Sequence, residues 1–575
     1  MARSLLLLPL VSVASAFCPW YGPVFPQAKN LASSATIQTA LEKLKSTYDT
    51  GLLTGNSSAD SVPNSSAASV QIFSVESEKP LFEYYHDGAV LNTTVGVKTL
   101  DGESIIRIAS ISKLITVYLW LKEIGDGWWD VPVTDVIPEL KGAEKWEENE
   151  VDFIKWEDVT IGALAGQTSG ILGNFVQLEG ADPLVGHPEF VVQLGLPPLE
   201  PSEEPACTLA AGTKIGLTCS RQEFFASLAT SQPVRRPNTS PAYSSTAFVV
   251  LGYALETMTG KSYKQVVQSL ADALELTGFS VDTPEVSKGA ILTTLEGSDF
   301  RRPTGGFAPT GGLYSSMNDL SQIGRSILGS KFLDPNTTRA WLKPAAFTSD
   351  LRSALGRPWE IYRVDTKSSR GVIDVFAKGG DYGLYHTKFV LIPDYNIGYT
   401  AFVGGPGEKD WLGDQIIDIL LPALEEVARE QTDAAYAATY TTTTNGSAAS
   451  MTLTTEAGKP GLGIEKWTQN GTDILKAFSQ LSEEPLSTEN IRLLPTNLER
   501  KMEGGGTEIA WRALISTSHP YEKRSVFGAC PAWFNSESIG YGRHTLDQIS
   551  FTLGSDGKAT KVSPRAWKVD LQRKD

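Results

Sequence analysis

Strand-like segments stand at both ends of a long helical stretch of this chain, and that order is what most restricts its fold. VQIFSVESEKPLFEYYH, Val70 to His86, alternates around a charged turn in the manner of two paired strands. Far downstream, VIDVFAKGG (372–380) and TKFVLIPDYNIGYTAFV (387–403) return to the same character. DQIIDILLPALEEVARE, Asp414 to Glu430, then reads as an amphipathic helix. Strands so far apart imply one sheet assembled from both ends of a domain, with the helical middle enclosed between them.

The flanks have their own signatures. MARSLLLLPLVSVASA, residues 1–16, has a basic start at Arg3, a short apolar run and a small-residue cleavage site, the parts of a secretory signal peptide. The apolar run is too short to span a bilayer, and no other stretch is long enough, so no membrane anchor is expected. Residues 17–67 form an N-terminal segment with helical periodicity from Ala32 to Thr47 and a Ser/Asn/Gly-rich loop from Thr54 to Ser66. The main domain is placed at 68–435. Beyond it, YTTTTNGSAAS (Tyr440 to Ser450) reads as low-complexity and flexible. Short alternating runs with turn signals follow: MTLTTEAGKPGLGIEKW, NIRLLPT, TEIAWRALI, QISFTLGSDGKATKV and AWKVDLQ. They predict a smaller all-β domain over 436–575.

Charge and cysteine usage agree with export. Lys+Arg 50 against Asp+Glu 66 gives a net charge of −16, which argues against nucleic acid or an anionic membrane as partner. The four cysteines, Cys18, Cys207, Cys219 and Cys530, suit two disulfides. Cys207 with Cys219 is the natural local pair and leaves Cys18 for Cys530, although other pairings stay open. Asn-x-Ser/Thr sequons stand at Asn56, Asn64, Asn92, Asn238, Asn336, Asn445 and Asn470. With a signal peptide they point to a glycoprotein of a eukaryotic secretory pathway, and to an extracellular location.

The chemistry starts at RIASISKLITVYLW, Arg107 to Trp120. Ile108, Ile111, Leu114, Ile115 and Tyr118 fall at helical spacing, as in any buried helix. On such a helix Ser110 and Lys113 share one face a turn apart. A hydroxyl is a weak nucleophile, and a lysine amine can take its proton only where burial lowers the amine's pKa. At the helix start, the Ser110 N–H also lacks a helical partner and can face an oxyanion. The four-residue pattern is weak alone, since roughly two copies are expected by chance in a chain of this length. A second copy, Ser555 to Lys558 in LGSDGKAT, contains an Asp-Gly turn signal and is structural. Context separates the two copies. Tyr243-Ser244-Ser245 precedes a helical apolar pattern, and Lys378-Gly379-Gly380 ends a strand. The five histidines show no metal-binding spacing, and no Gly-x-Ser-x-Gly elbow occurs, so neither a metal nor another cofactor is expected.

Ser-x-x-Lys, Tyr-Ser-x and Lys-x-Gly in that order resemble the serine β-lactamase and penicillin-binding-protein superfamily, in its class C-like branch. EDVTIGALAGQTSGI (157–171) and APTGGLYSSMNDLSQIGRSIL (308–328) resemble neighbouring segments of the same group. The likeness covers about residues 68–430, and the whole chain resembles secreted fungal β-lactamase-like proteins with a C-terminal β domain. It implies an α+β fold, β-lactamase/transpeptidase-like, with an antiparallel sheet, a helical subdomain and a smaller all-β C-terminal domain. It implies a small-molecule substrate, Ser110 as the acylated nucleophile, Lys113 as its base or relay, and Tyr243 as the relay to the leaving group. Lys378 would hold down the tyrosine's pKa or meet a substrate carboxylate. The oxyanion hole would be formed by the N–H groups of Ser110 and of Asp381, next to Gly379 and Gly380. One departure matters: where the family pattern has asparagine, this chain has Ser245. A hydroxyl is shorter and lacks the paired donor and acceptor of an amide. That speaks against efficient β-lactam or peptide recognition and for an ester, lactone or acyl-transfer substrate.

Overall fold

The structure, a computed structural model, describes residues 19–53, 62–142, 147, 149–173, 188–197, 220–365, 371–442, 448–481, 491–503, 505–515, 537 and 539–574. The expected leader, all four cysteines and the sequons at Asn56 and Asn445 lie outside them. The chain divides into two compact units, one of Leu41–Arg363 with Asp374–Ile419 and one of Met1–Ala40, Val364–Ile373 and Leu420–Asp575.

In the first unit an eight-stranded sheet draws on both ends of the domain, as the strand order in the sequence implies. The hairpin Ala67–Ser74 and Phe82–His86 occupies one edge, and Ile397–Gly404, Tyr385–Ile392 and Val372–Tyr382 follow it inward. Ala67–Ser74 pairs antiparallel with Ile397–Gly404 from Ala67↔Gly404 to Ser74↔Ile397. Both strands are buried along their whole length, because helices cover the sheet. One of these, Met317–Leu328, lies so close that a Cβ on Gly324 would fall 2.2 Å from the Phe73 ring. Glycine is what permits that approach.

Helix Ile111–Glu123 runs through the core, with every residue from Ile111 to Leu121 buried. A helix apolar on nearly all sides must be enclosed by other elements. Here helix Ser245–Thr259 and the short helix Ala308–Gly311 pack on it. Ser112 is buried and accepts a hydrogen bond from the Leu313 N–H at 3.1 Å.

The C-terminal sheet is all antiparallel, and its end strands meet: Ala449–Thr454 pairs with Ala438–Thr442 on one side and with Leu462–Gln469 on the other. The sheet therefore closes into a barrel, leaving only the two-residue strand Thr472–Asp473 at an edge among the described residues. Trp467, Trp511, Phe551, Tyr440 and Met451 fill its core.

Several element boundaries differ from the sequence expectation. The segment read as flexible from Tyr440 begins instead as the end of strand Ala438–Thr442, because the buried Tyr440 ring packs on Phe551. The helix expected over Asp414–Glu430 runs from Lys409 to Tyr436 and carries Pro422 within it. The helix expected from Ala32 spans Ala35–Leu53. AWKVDLQ becomes a 3-10 turn, Arg565–Trp567, before strand Leu571–Lys574. Ser555 to Lys558 joins strands Gln548–Leu553 and Ala559–Pro564 in a turn with Gly557 at φ 78°, as its Asp-Gly pair suggested.

Candidate active site

Ser110 stands where strand Ile106–Arg107 turns into helix Ile111–Glu123. The turn is made by Ala109, a buried residue with φ 46°. A non-glycine residue in that region costs about 1–3 kcal/mol, a strain that persists only where surrounding packing holds it. Ser110 is thereby the N-cap of the helix, and its Oγ is held from two sides. Lys113 Nζ donates to it at 2.9 Å, and Tyr243 OH at 2.8 Å. The sequence-predicted serine, lysine and tyrosine are thus brought into direct contact.

Lys113 is 1% exposed, and its ammonium also donates to the Thr310 carbonyl at 2.9 Å. Tyr243 is 52% exposed as a residue, yet its hydroxyl end is enclosed by the serine and both lysines. The Lys113 and Lys378 ammonium groups lie 4.9 and 5.3 Å from its ring centre. Burial works to raise the phenol's pKa, but the charges of Lys113 and Lys378 and the hydrogen bonds with Ser110 and Lys113 outweigh it. The phenol is left below the ordinary tyrosine value. Its position is set by Ser244, the N-cap of helix Ser245–Thr259. The Ser244 N–H donates to Gln167 Oε1 at 2.7 Å and its hydroxyl to the Leu172 carbonyl at 2.7 Å.

The expectation for Lys378 is that it holds down the tyrosine's pKa or meets a substrate carboxylate. It faces Tyr243, but its ammonium donates to Glu360 Oε1 at 2.5 Å and to the Gly379 carbonyl at 2.7 Å. Glu360 Oε2 accepts from the Gly379 N–H at 3.0 Å, so one carboxylate holds both. Burial disfavours the lysine's charge, yet Glu360 and Tyr243 keep its pKa above the ordinary value. A substrate carboxylate would find this cation already neutralised. Glu360 carries no signal in the sequence, because only strand pairing sets the start of Glu360–Asp365 beside Lys378.

Gly380 presses its backbone against the nucleophile. A Cβ there would fall 2.5 Å from the Ile108 carbonyl and 2.9 Å from the Ser110 nitrogen. At Gly379 the nearest such atom is 3.5 Å away, so only Gly380 needs to be glycine for space. Asp381 borders the clefts on both sides of Ser110. Its carboxylate accepts from Lys409 Nζ at 2.6 Å and pairs with His386 Nδ1 at 2.7 Å. Burial opposes its charge, but His386 and Lys409 hold its pKa at about 2. The Asp381 side chain is thus committed to an ion pair.

Ser245 is buried at the first turn of its helix and lines the narrower cleft, about 410 Å³ including its mouth. Ser110, Lys113, Arg302, Phe307, Thr310 and Tyr382 line that cleft as well. The other cleft, about 690 Å³ including its mouth, is bordered by Tyr243, Lys378, Glu360, Lys388, Lys409 and Asp410. Among the described residues no group of three or more His, Cys, Asp or Glu side chains could hold a metal ion, and no helix is long and apolar enough to cross a membrane.

A serine beside a strained turn, touched by a buried lysine and a charge-biased tyrosine, is an arrangement that can activate a hydroxyl for acyl transfer. A family model described as Beta-lactamase matches residues 67–419, and the chain belongs to that family. A second model, described as Beta-lactamase-like-like, C-terminal domain, matches residues 428–575. The chain is 28% identical over 591 residues to a beta-lactamase-like protein of Arthroderma benhamiae, covering 96% of this chain and 95% of that one. It is 24% identical to the probable hydrolase clz13 of Cochliobolus lunatus, over 76% of this chain and 73% of the relative. Among solved structures, a beta-lactamase/D-alanine carboxypeptidase from Yersinia pestis complexed with citrate covers 68% of this chain and 99% of its own, at 18% identity and a TM-score of 0.48.

Proposed function

We propose that the protein is a secreted serine hydrolase that cleaves an ester or lactone through a Ser110 acyl-enzyme. The observation that carries this reading is the double contact on Ser110 Oγ, from Lys113 at 2.9 Å and Tyr243 at 2.8 Å. Ser110 Oγ attacks the substrate's acyl carbon and gives up its proton to Tyr243 in its phenolate form, which the neighbouring Lys113 and Lys378 charges favour. The bond from that carbon to the leaving oxygen breaks, and the same proton passes through Tyr243 to the leaving alcohol. Water then attacks the acyl carbon, Tyr243 takes its proton, the bond from that carbon to Ser110 Oγ breaks, and Tyr243 returns the proton to Oγ as the acid leaves. The carbonyl oxygen, negative in between, is stabilised by the Ser110 and Asp381 N–H groups. Because the Lys378 ammonium is already paired with Glu360, the leaving side favours a neutral alcohol over a carboxylate-bearing group.

The leader pattern of residues 1–16 and exposed sequons such as Asn64 and Asn336 support export. Fungal relatives named probable hydrolases support hydrolysis. A second reading, transfer of the acyl group to another acceptor in fungal secondary metabolism, uses the same centre and differs only in what attacks the acyl-enzyme. A third, a silent receptor, requires a pocket that binds without turnover.

Fluorophosphonate labelling, followed by intact mass, tests the reading. One adduct on wild type and none on Ser110→Ala is expected. Lys113→Ala should slow labelling by roughly 10²–10⁴-fold. Equal labelling of wild type and Ser110→Ala would sink it, and so would labelling indifferent to Lys113.

A further inference from the structure

The two clefts beside Ser110 differ in their free charge. In the wider one every described lysine has a carboxylate partner: Lys378 with Glu360 at 2.5 Å, Lys388 with Asp410 at 2.6 Å, and Lys409 with Asp381 at 2.6 Å. In the narrower one stands Arg302, whose side chain is only 9% exposed. Its nearest carboxylate, Asp299, is 3.9 Å away, beyond hydrogen-bonding distance. No described residue accepts a hydrogen bond from its guanidinium. Its donors open onto the cleft, where its planar fork matches a carboxylate.

The position of Arg302 is built. Arg107, fully buried between the Tyr314 and Tyr382 rings, donates to the carbonyls of Asp299 and Phe300 at 3.0 Å each and to that of Arg302. It thereby pins the backbone that carries the second arginine. Asp381, the acid that lines this cleft, is already engaged by Lys409 and His386, which leaves the distant Asp299 as the one carboxylate facing Arg302 among the described residues.

Which part of a substrate lies in this cleft follows from the proton path. Tyr243, which must reach the leaving oxygen, borders the wider cleft and not the narrower one. The leaving alcohol therefore occupies the wider cleft and the acyl chain the narrower, beside Ser245 and Arg302. We infer that Arg302 receives a carboxylate at the far end of the acyl chain, so that the substrates are monoesters of short dicarboxylic acids. Hydrolysis of such a monoester with one water yields the alcohol and the dicarboxylic acid. The inference rests on Ser110 being the acylated residue, and its test keeps the two apart.

Wild type, Arg302→Met and Arg302→Lys are compared on 4-nitrophenyl hydrogen glutarate and on 4-nitrophenyl valerate, which has the same chain length without the terminal charge. Arg302→Met is expected to lower kcat/KM for the glutarate ester roughly 100-fold and to leave the valerate ester within about threefold, with Arg302→Lys recovering part of the loss. Retained valerate turnover also reports that the variant is folded. Wild type without preference for the glutarate ester, or equal losses on both esters, would overturn the inference while leaving the acyl-enzyme intact. A binding arm is independent of turnover. Monomethyl glutarate should bind full-length Ser110→Ala by calorimetry, and the added Arg302→Met change should abolish that binding. Binding of this kind alongside a wild type that turns over neither ester would uphold Arg302 and refute the hydrolase. No binding to Ser110→Ala would overturn Arg302.

Discussion

Ser110 depends on atoms that no spacing rule describes. Its hydroxyl is held by Lys113 and Tyr243, but its N–H is approached by the backbone at Gly380, where a Cβ would lie 2.9 Å from the nitrogen. Gly380→Ala must push strand Val372–Tyr382 away from the nucleophile or move Ile108, whose carbonyl would lie 2.5 Å from the added carbon. The expected outcome is a folded protein whose fluorophosphonate labelling is slowed roughly 10²–10³-fold, the usual effect of losing an oxyanion donor. Gly379→Ala, with room for its methyl, serves as the control, and equal rates for the two variants would refute this role. Ser110, Lys113, Tyr243 and Lys378 were legible because helix pitch and motif order hold their chemistry within a few residues. Glu360 and Arg302 were not legible. Each acts through where its main chain is pinned, the first by strand pairing and the second by Arg107.

Among elements, the hairpin turn Pro393–Tyr395 joins the largely buried strand Tyr385–Ile392 to the fully buried strand Ile397–Gly404 and carries a misplaced charge. Burial, with Asp374 adding to it and Lys343 opposing, raises the Asp394 carboxyl to about 6. An unfolded aspartate has released its proton by about pH 4, so between these values the folded chain binds more protons than the unfolded one. Its contribution to stability is full below pH 4 and is lost as the pH rises through 6. Asp394→Asn should remove that decline, matching wild type at pH 4 and exceeding it at pH 7 by about 1–3 kcal/mol. Urea denaturation at both pH values reads it out, and an unchanged difference between them would contradict the account. Elsewhere the strands appeared largely where alternation placed them. The elements misread were those whose state depends on a distant partner. Tyr440 begins a polar threonine run that reads as a linker until Phe551 packs on it.

For the whole molecule, the export reading predicts where sugar is attached. Asn64, Asn238, Asn336 and Asn470 are exposed, whereas Asn92 is half-buried with its side-chain nitrogen donating to the Thr293 carbonyl at 2.8 Å. Expressed in a glycosylating host, the chain should reach the medium. Enzymatic deglycosylation in oxygen-18 water should then mark those four asparagines and leave Asn92 unmarked. A chain retained in the cell without glycans would overturn the reading. At this scale the division between sequence and structure has a physical cause. The sequence alone determined the fold class, the strands from both termini, the β domain and the serine, lysine and tyrosine of the site, because these follow from local periodicity and short motifs. Only the tertiary structure decided that Lys378 is neutralised by Glu360, that Gly380 presses on the Ser110 N–H, and that Arg302 keeps its donors free. Charge pairing and close approach depend on distances between segments remote in the chain, and those distances exist only once the sheet and its helices have closed around the nucleophile.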